Sequence, residues 1–167
     1  IFGGGIALII PLSRALAQQG QGGESSRGGA NQRTPSDIGA WIHIAEDGGV
    51  TVYTGKVELG QNIRTSLSQI VAEELHAPVA MIRMVMGDTD LVPYDAGTFG
   101  SMTTPEMGPR LRKAAAAARE MLIDLAAEQW NLDRASIQIV NAKLVDSASK
   151  KSLGFAEVTK GQKLVKV

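Results

Sequence analysis

The hydrophobic period of the chain changes at Gly60, and that change limits what the chain can fold into. Before it, Ile42 and Ile44, then Val50 and Val52, recur at every second residue, as half-buried strands require. After it, Ile63, Leu67, Ile70, Val71 and Leu75 follow at spacings of four, three, one and four, which is a single stripe along a helix. A stretch that passes from period two to period 3.6 fits neither an all-α nor an all-β domain. Trp41 and His43 fall opposite Ile42 and Ile44, and Asp47-Gly48-Gly49 supplies turn chemistry between the two strands. The segment reads as a hairpin followed by a helix, with His43 a cross-strand surface residue.

This helix is expected to run to about His76, with Pro78 stopping it. Ile82, Met84 and Met86 alternate with Arg83 and Val85 and predict a third strand ending at Gly87, its methionines serving as core filler. From Asp88 to Thr104 no period survives, and connections longer than about 12 to 15 residues are usually functional or disordered. Thr103, Thr104, Pro105 and Glu106 carry helix-start signals. Leu111, Ala114, Ala115, Ala118, Met121, Leu122, Leu125 and Ala126 then mark the buried stripe of a long helix, with a kink expected at Pro109. The alanine run from Ala114 to Ala118 favours helix and lets another backbone pack close. Ile137 to Val140 and Lys143 to Val145 predict a second hairpin around Asn141-Ala142. Leu153 to Val158 reads as a short helical turn and Lys163 to Val167 as a strand. The expected architecture is α+β, in the order hairpin, helix, strand, long loop, long helix, second hairpin.

The N-terminal residues read differently. Ile6 to Ile10 form an apolar run, followed by Ala15-Leu16-Ala17, the pattern of a secretory signal with its cleavage site. The run is too short for a bilayer, which takes about 20 apolar residues. Residues 1–17 are expected to be a signal-peptide remnant, with an uncleaved membrane tether as the alternative. Residues 18–37 are nearly devoid of apolar side chains and read as a flexible linker, and residues 38–167 as the folded domain. Among its 167 residues, 17 Lys and Arg balance 17 Asp and Glu, which argues against a nucleic-acid partner. Zero cysteines exclude disulfides, thiolate metal sites and cysteine nucleophiles in these residues.

Chemistry is expected where two loops open two helices. Gly55-Lys56-Val57-Glu58-Leu59-Gly60-Gln61-Asn62 is half of a P-loop, with Gln61-Asn62 standing where Lys and Ser or Thr would be. Gly97 to Thr104 offers small residues and hydroxyls at a helix start, suited to anionic or carbonyl-rich ligands. Plain turns and caps account for both segments equally well.

A family resemblance covers roughly Gly39 to Ala127. Gly55 to Gln61, Thr65, Gln69 to Leu75, Gly87-Asp88-Thr89-Asp90, Pro93, Gly97-Thr98 and Gly100-Ser101 stand in the order and spacing of a known family. The chain resembles the molybdopterin-binding subunit of xanthine dehydrogenases and aldehyde oxidases, in particular the branch of the isoquinoline 1-oxidoreductase beta subunits. The resemblance implies that Gln61 contacts the pyranopterin, with Gly60 allowing close approach, and that Gly100, Ser101 and Thr103 line the molybdenum side. Asn62 stands where the family has a second glycine, a position asparagine tolerates through left-handed backbone angles.

The same resemblance places the catalytic glutamate in a distant Gly-rich motif of a longer subunit. No catalytic residue is therefore expected here, and Glu58, Glu73, Glu74 and Glu106 qualify by residue type only. It implies an N-terminal fragment of a molybdenum hydroxylase that oxidises an aromatic N-heterocycle or aldehyde with oxygen from water. The implied cofactor is molybdopterin, in its cytosine dinucleotide form, with molybdenum. The implied partners are a [2Fe–2S] small subunit, a small-molecule substrate and a cytochrome c acceptor, on the periplasmic side. A non-catalytic exported interaction domain and a nucleotide site on the half P-loop are the alternatives.

Overall fold

The computed structural model describes residues 5–7 and 38–160. The linker expected over 18–37, the strand expected at Lys163 to Val167 and most of the apolar N-terminal run lie outside those residues. At its start, Gly5–Ala7 forms β1.

A single 3-10 turn at Ile38–Ala40 leads into β2 (Ile42–Ala45) and β3 (Val50–Thr54), the expected hairpin. At its turn the Gly49 N–H donates to the Asp47 carboxylate. A helix, α1 (Ile63–Glu74), then carries the chain over to β4 (Ile82–Met86), which lies parallel to β3. The sheet order is β1-β2-β3-β4, with β1 antiparallel on the other edge of β2.

Register puts the sheet's apolar residues on one face. Ile44 pairs with Val50 and Val50 with Ile82, while Ile42 pairs with Val52 and Val52 with Met84. All six are buried. His43 is paired with Thr51 and Thr51 with Arg83 on the opposite face, which is partly open. Trp41, expected with His43 on the open side, is instead buried, since it precedes β2 and does not share its pleat.

Ile63, Leu67, Val71 and Leu75 of the predicted stripe are buried, and Ile70 is half-buried. α1 ends close to the expected His76, but Pro78 is not what stops it. His76 takes a left-handed φ of 50°, its N–H bonding to the Glu73 carbonyl and that of Ala77 to the Ala72 carbonyl, so the helix is closed before Pro78 is reached.

The long helix α2 runs from Thr103 to Trp130 and continues through Pro109. Leu111, Ala114, Ala115, Ala118, Leu122 and Ala126 of its predicted stripe are buried, whereas Met121 and Leu125 are half-buried. Its small residues bring α1 close: a Cβ on buried Gly108 would lie 3.2 Å from Ile70 Cδ1. The alanine face is thus spent inside the fold. The large exposed apolar side chains lie elsewhere, and Leu59, Leu91, Tyr94, Phe99 and Met102 all sit on the loops after β3 and β4.

The second hairpin, β5 (Ile137–Val140) and β6 (Lys143–Asp146), turns at Asn141 and Ala142, both at positive φ. A third strand, β7 (Lys151–Gly154), completes this sheet in the order β5-β6-β7. The helix α3 occupies only Phe155–Thr159, so Leu153 and Gly154, expected in a helical turn, belong to a strand. They pair with Leu144 and Lys143, and the open edge of β6 dictates their conformation. Among the described residues, three α-helices and two small sheets make an α+β fold, as expected.

Candidate functional site

Two loops emerge from the C-terminal ends of the parallel strands β3 and β4, where open α/β sheets place their ligands. The first, residues 55–62, enters α1, and the second, residues 87–102, enters α2. Between them lies a cleft of about 410 Å³, lined by Leu59, Gln61, Ile63 and Ser66 on one side and by Thr98 to Ser101, Thr103 and Thr104 on the other. Four of the five residues singled out from the sequence, Gln61, Gly100, Ser101 and Thr103, therefore share one cavity. Gly60 stands beside it in the turn that presents Gln61.

The backbone of the two loops is held in unusual angles. Gly60 has φ 96° and Gly100 φ 62°, which side chains rarely tolerate. Asn62 sits at φ 61°, the left-handed conformation expected of it, and Ser101 at φ 56°. A left-handed non-glycine residue costs about 1 to 3 kcal/mol, and such strain gathers at ligand-binding sites.

The two helix starts differ in what they leave free. At α1 the Glu58 carboxylate folds back over the helix, accepting N–H bonds from Gly60 at 2.7 Å, Asn62 at 3.1 Å and Arg64 at 2.9 Å. The Arg64 N–H does most to hold this carboxyl below its ordinary pKa, and the Gly60, Asn62 and Ile63 N–H groups add to it against desolvation. The donors that a phosphate would need are already engaged by the chain's own anion, which counts against the half P-loop as a nucleotide site.

A depressed folded-state pKa means that Glu58 contributes stability above its unfolded pKa, and that this is lost as pH falls through the folded value. Glu58→Gln is therefore expected to melt below the parent at pH 7. The difference in melting temperature should hold at neutral pH and narrow progressively as acidification passes below the ordinary glutamate value of about 4.3. A gap independent of pH would show that the carboxylate's charge is not what caps α1.

At α2 the cap is Met102, which offers no side-chain hydrogen bond. The helix opens at Thr103, where the start signals predict it, with Thr103 already inside its first turn. Among the described residues, the N–H groups of Thr103 and Thr104 and the hydroxyls of Ser101, Thr103 and Thr104 have no hydrogen-bond partner. This helix start offers the cleft a set of unspent donors.

Gln61 is also prearranged. Its Nε2 donates to the Val57 carbonyl at 2.9 Å, and its Oε1 accepts the Leu59 N–H. The carboxamide thus has a fixed orientation, with one N–H and one lone pair still unused.

The glutamates considered by residue type serve structure. Glu74 pairs with Arg119 and Glu73 with Arg112, tying α1 to α2. Glu106 lies 3.8 Å from Lys56 Nζ. Among the described residues no group of three His, Cys, Asp or Glu is gathered, and no helix is long and apolar enough to cross a membrane.

Nothing in the sequence singles out Lys56 and Asp95. They form an ion pair at 2.8 Å with side chains only 6% and 8% exposed, and Lys56 Nζ also donates to the Gly97 carbonyl at 2.6 Å. Charge alone would place both at the surface.

Fold and cleft together make an α+β unit whose cavity lies between the two loops that follow a parallel β-α-β pair. The chain belongs to the molybdopterin cofactor-binding domain family, which matches residues 10–166. It is 37% identical over 126 residues to one of the subunits of the nicotinate dehydrogenase of Pseudomonas putida, covering 75% of this chain and 10% of that protein. It is 33% identical over 108 residues to the putative xanthine dehydrogenase molybdenum-binding subunit of Escherichia coli, covering 64% of this chain and 14% of that one. Among solved structures, a Cu,Mo-CO dehydrogenase superposes with a TM-score of 0.62 at 28% identity, over 70% of this chain and 15% of that chain. Quinoline 2-oxidoreductase of Pseudomonas putida superposes at 0.61 and 28%, with the same coverages. The chain thus spans about a tenth to a seventh of the length of these relatives. It is a molybdopterin cofactor-binding domain, similar to part of the molybdenum-binding subunit of a xanthine dehydrogenase.

Proposed function

We propose that the cleft between the 57–61 turn and the 98–104 segment takes the molybdopterin cofactor in the large subunit of a molybdenum hydroxylase. The observation that carries this is the convergence of Gln61 with Gly100, Ser101 and Thr103, about forty residues apart in sequence, on one cavity. The donor chemistry suits the group. A pterin ring presents both donors and acceptors, which the remaining N–H and lone pair of Gln61 complement. The unspent N–H groups and hydroxyls at the start of α2 favour electron-rich sulfur, oxygen or phosphate. Positive φ at Gly60 and Gly100 keeps Cβ atoms out of the approach.

When bound, the group supplies two-electron chemistry at molybdenum, hydroxylating an electron-poor carbon with oxygen from water and passing electrons to a [2Fe–2S] small subunit. An aromatic N-heterocycle is the favoured substrate class over an aldehyde, because two of the relatives are named for nicotinate and quinoline. The cytosine dinucleotide form of the cofactor, a cytochrome c acceptor and export to the periplasm complete the reading. They rest on the family branch and, for export, on the apolar run and Ala15 to Ala17. A cut after Ala17 would remove β1 and leave β2 as the sheet edge. The residues of this chain bind and orient, and the proton-abstracting base is supplied by the longer subunit.

Gln61→Ala in the intact subunit tests the assignment. Gln61 is exposed and its two hydrogen bonds stay within its own turn, so the fold should lose little. Leaving a cofactor group unpaired in a water-poor site costs about 1 to 3 kcal/mol, up to roughly a hundredfold in binding. Molybdenum per subunit should therefore fall steeply for Gln61→Ala and stay at the parental level for Gln69→Ala, another exposed amide, on α1 outside the cleft. Equal molybdenum content in the parent and both variants would sink the assignment.

A further inference from the structure

The buried pair of Lys56 and Asp95 joins the two walls of the cleft. Lys56 belongs to the loop that presents Gln61, and Asp95 to the loop that leads to Gly100 and Ser101. Besides the ion pair and the bond to the Gly97 carbonyl, the Val57 N–H donates to Thr98 Oγ1 at 2.8 Å. The same Asp95 oxygen, Oδ1, also accepts the Gly97 N–H at 2.9 Å, which fixes the turn before the second wall. Gly55 lets the strands of this clasp meet, because a Cβ there would stand 2.4 Å from Asp95 Cβ.

A buried ion pair is a weak source of net stability, since desolvation consumes most of its Coulomb attraction. Its value lies in specifying one arrangement. Lys56 itself is absent from the residues that line the cleft. It acts on the cleft through the loops it joins.

We propose that Lys56 is a positioning residue, whose buried contacts with Asp95 and the Gly97 carbonyl hold the 97–101 wall in register with the 57–61 wall so that the cleft is formed before its ligand arrives. The proposal rests on the reading that this cleft takes the cofactor.

The test uses the intact subunit in three forms beside the parent: Lys56→Met, Lys56→Met/Asp95→Asn and Gln61→Ala. Three quantities are read: amide hydrogen exchange, molybdenum and pterin content, and the thermal midpoint. Lys56→Met strands the Asp95 charge and should lower the midpoint. The double variant strands neither charge and keeps an acceptor for the Gly97 N–H, so its midpoint should recover most of the loss. Loop order should not recover with it. In both variants the amides of Val57 and residues 97–101 should exchange about tenfold faster or more, those of Leu111 to Leu122 should not change, and cofactor content should fall.

Recovery of cofactor content together with the midpoint in the double variant would reduce Lys56 to a stability role and overturn the proposal, as would parental exchange at 97–101. Loosened loops with full cofactor content would also overturn it. In that case the Gln61→Ala arm separates the two readings: depletion there leaves the cleft as the cofactor site, and full content there removes that reading as well.

Discussion

Leu111→Ala is expected to destabilise the fold by about 2 to 5 kcal/mol, in the upper half of that range. Leu111 is fully buried on α2, in the row that continues through Ala114, Ala115 and Ala118, and α1 packs on this helix with Leu67 and Val71 equally buried. The cost of a truncation depends on how far the neighbours can collapse into the space. Alanines cannot reach, and the backbone of a helix held on both sides cannot easily shift. Urea denaturation of the parent and the variant would show a lower midpoint with an unchanged slope. A loss below about 1 kcal/mol would place the centre of the core elsewhere.

What the sequence discloses follows from the range of the forces involved. β2, β3, α1, β4 and the stripe of α2 are specified by hydrophobic period, a local property, and the structure has them within a residue or two of expectation. β7 carries no alternation of its own and exists because β6 offers an unpaired edge, so its signal is not in its own residues. α1 ends within two residues of expectation but not for the expected cause. A proline is visible in a sequence, whereas His76 in a left-handed turn is selected by the carbonyls it satisfies.

The site divides in the same way. Gln61, Gly100, Ser101 and Thr103 are legible because a recurring motif marks them, and the topology then brings them to one cavity. Glu58 reads in the sequence as a glutamate of no particular role. Its carboxylate reaches the Arg64 N–H six positions on, outside the spacing of ordinary caps, so no capping signature reveals it. Lys56 and Asp95 lie 39 positions apart, and a charged pair becomes buried only when two loops close over it. The half P-loop reading fails on that kind of information too, because the sequence gives the glycine spacing but not which anion already fills the helix start.

The two glycines of the first loop are expected to resist substitution for different physical reasons, and Gly55 for the stronger one. Gly55 has an ordinary φ, so an L side chain is acceptable to its backbone. What excludes it is space, since the Cβ would lie 2.4 Å from Asp95 Cβ and 2.9 Å from the Pro93 carbonyl oxygen. Neither obstacle is the end of a flexible side chain. Gly55→Ala must therefore push the 93–95 backbone away and stretch the Lys56 to Asp95 contact, for a loss of about 3 kcal/mol, at the upper end of ordinary overpacking. Gly60 is the converse case: nothing lies within 4 Å of its Cβ position, but its φ of 96° is strained for any L residue. Gly60→Ala should cost about 1 to 2 kcal/mol, and Gly60→Asn less, because asparagine visits left-handed angles more readily. At Gly55 the order reverses, with asparagine worse than alanine because it adds bulk to a closed space. Denaturation midpoints of the four variants, with amide exchange over residues 93–101, would read this out. Equal tolerance of asparagine at both positions would mean that the loops do not meet at Gly55 as closely as 2.4 Å implies.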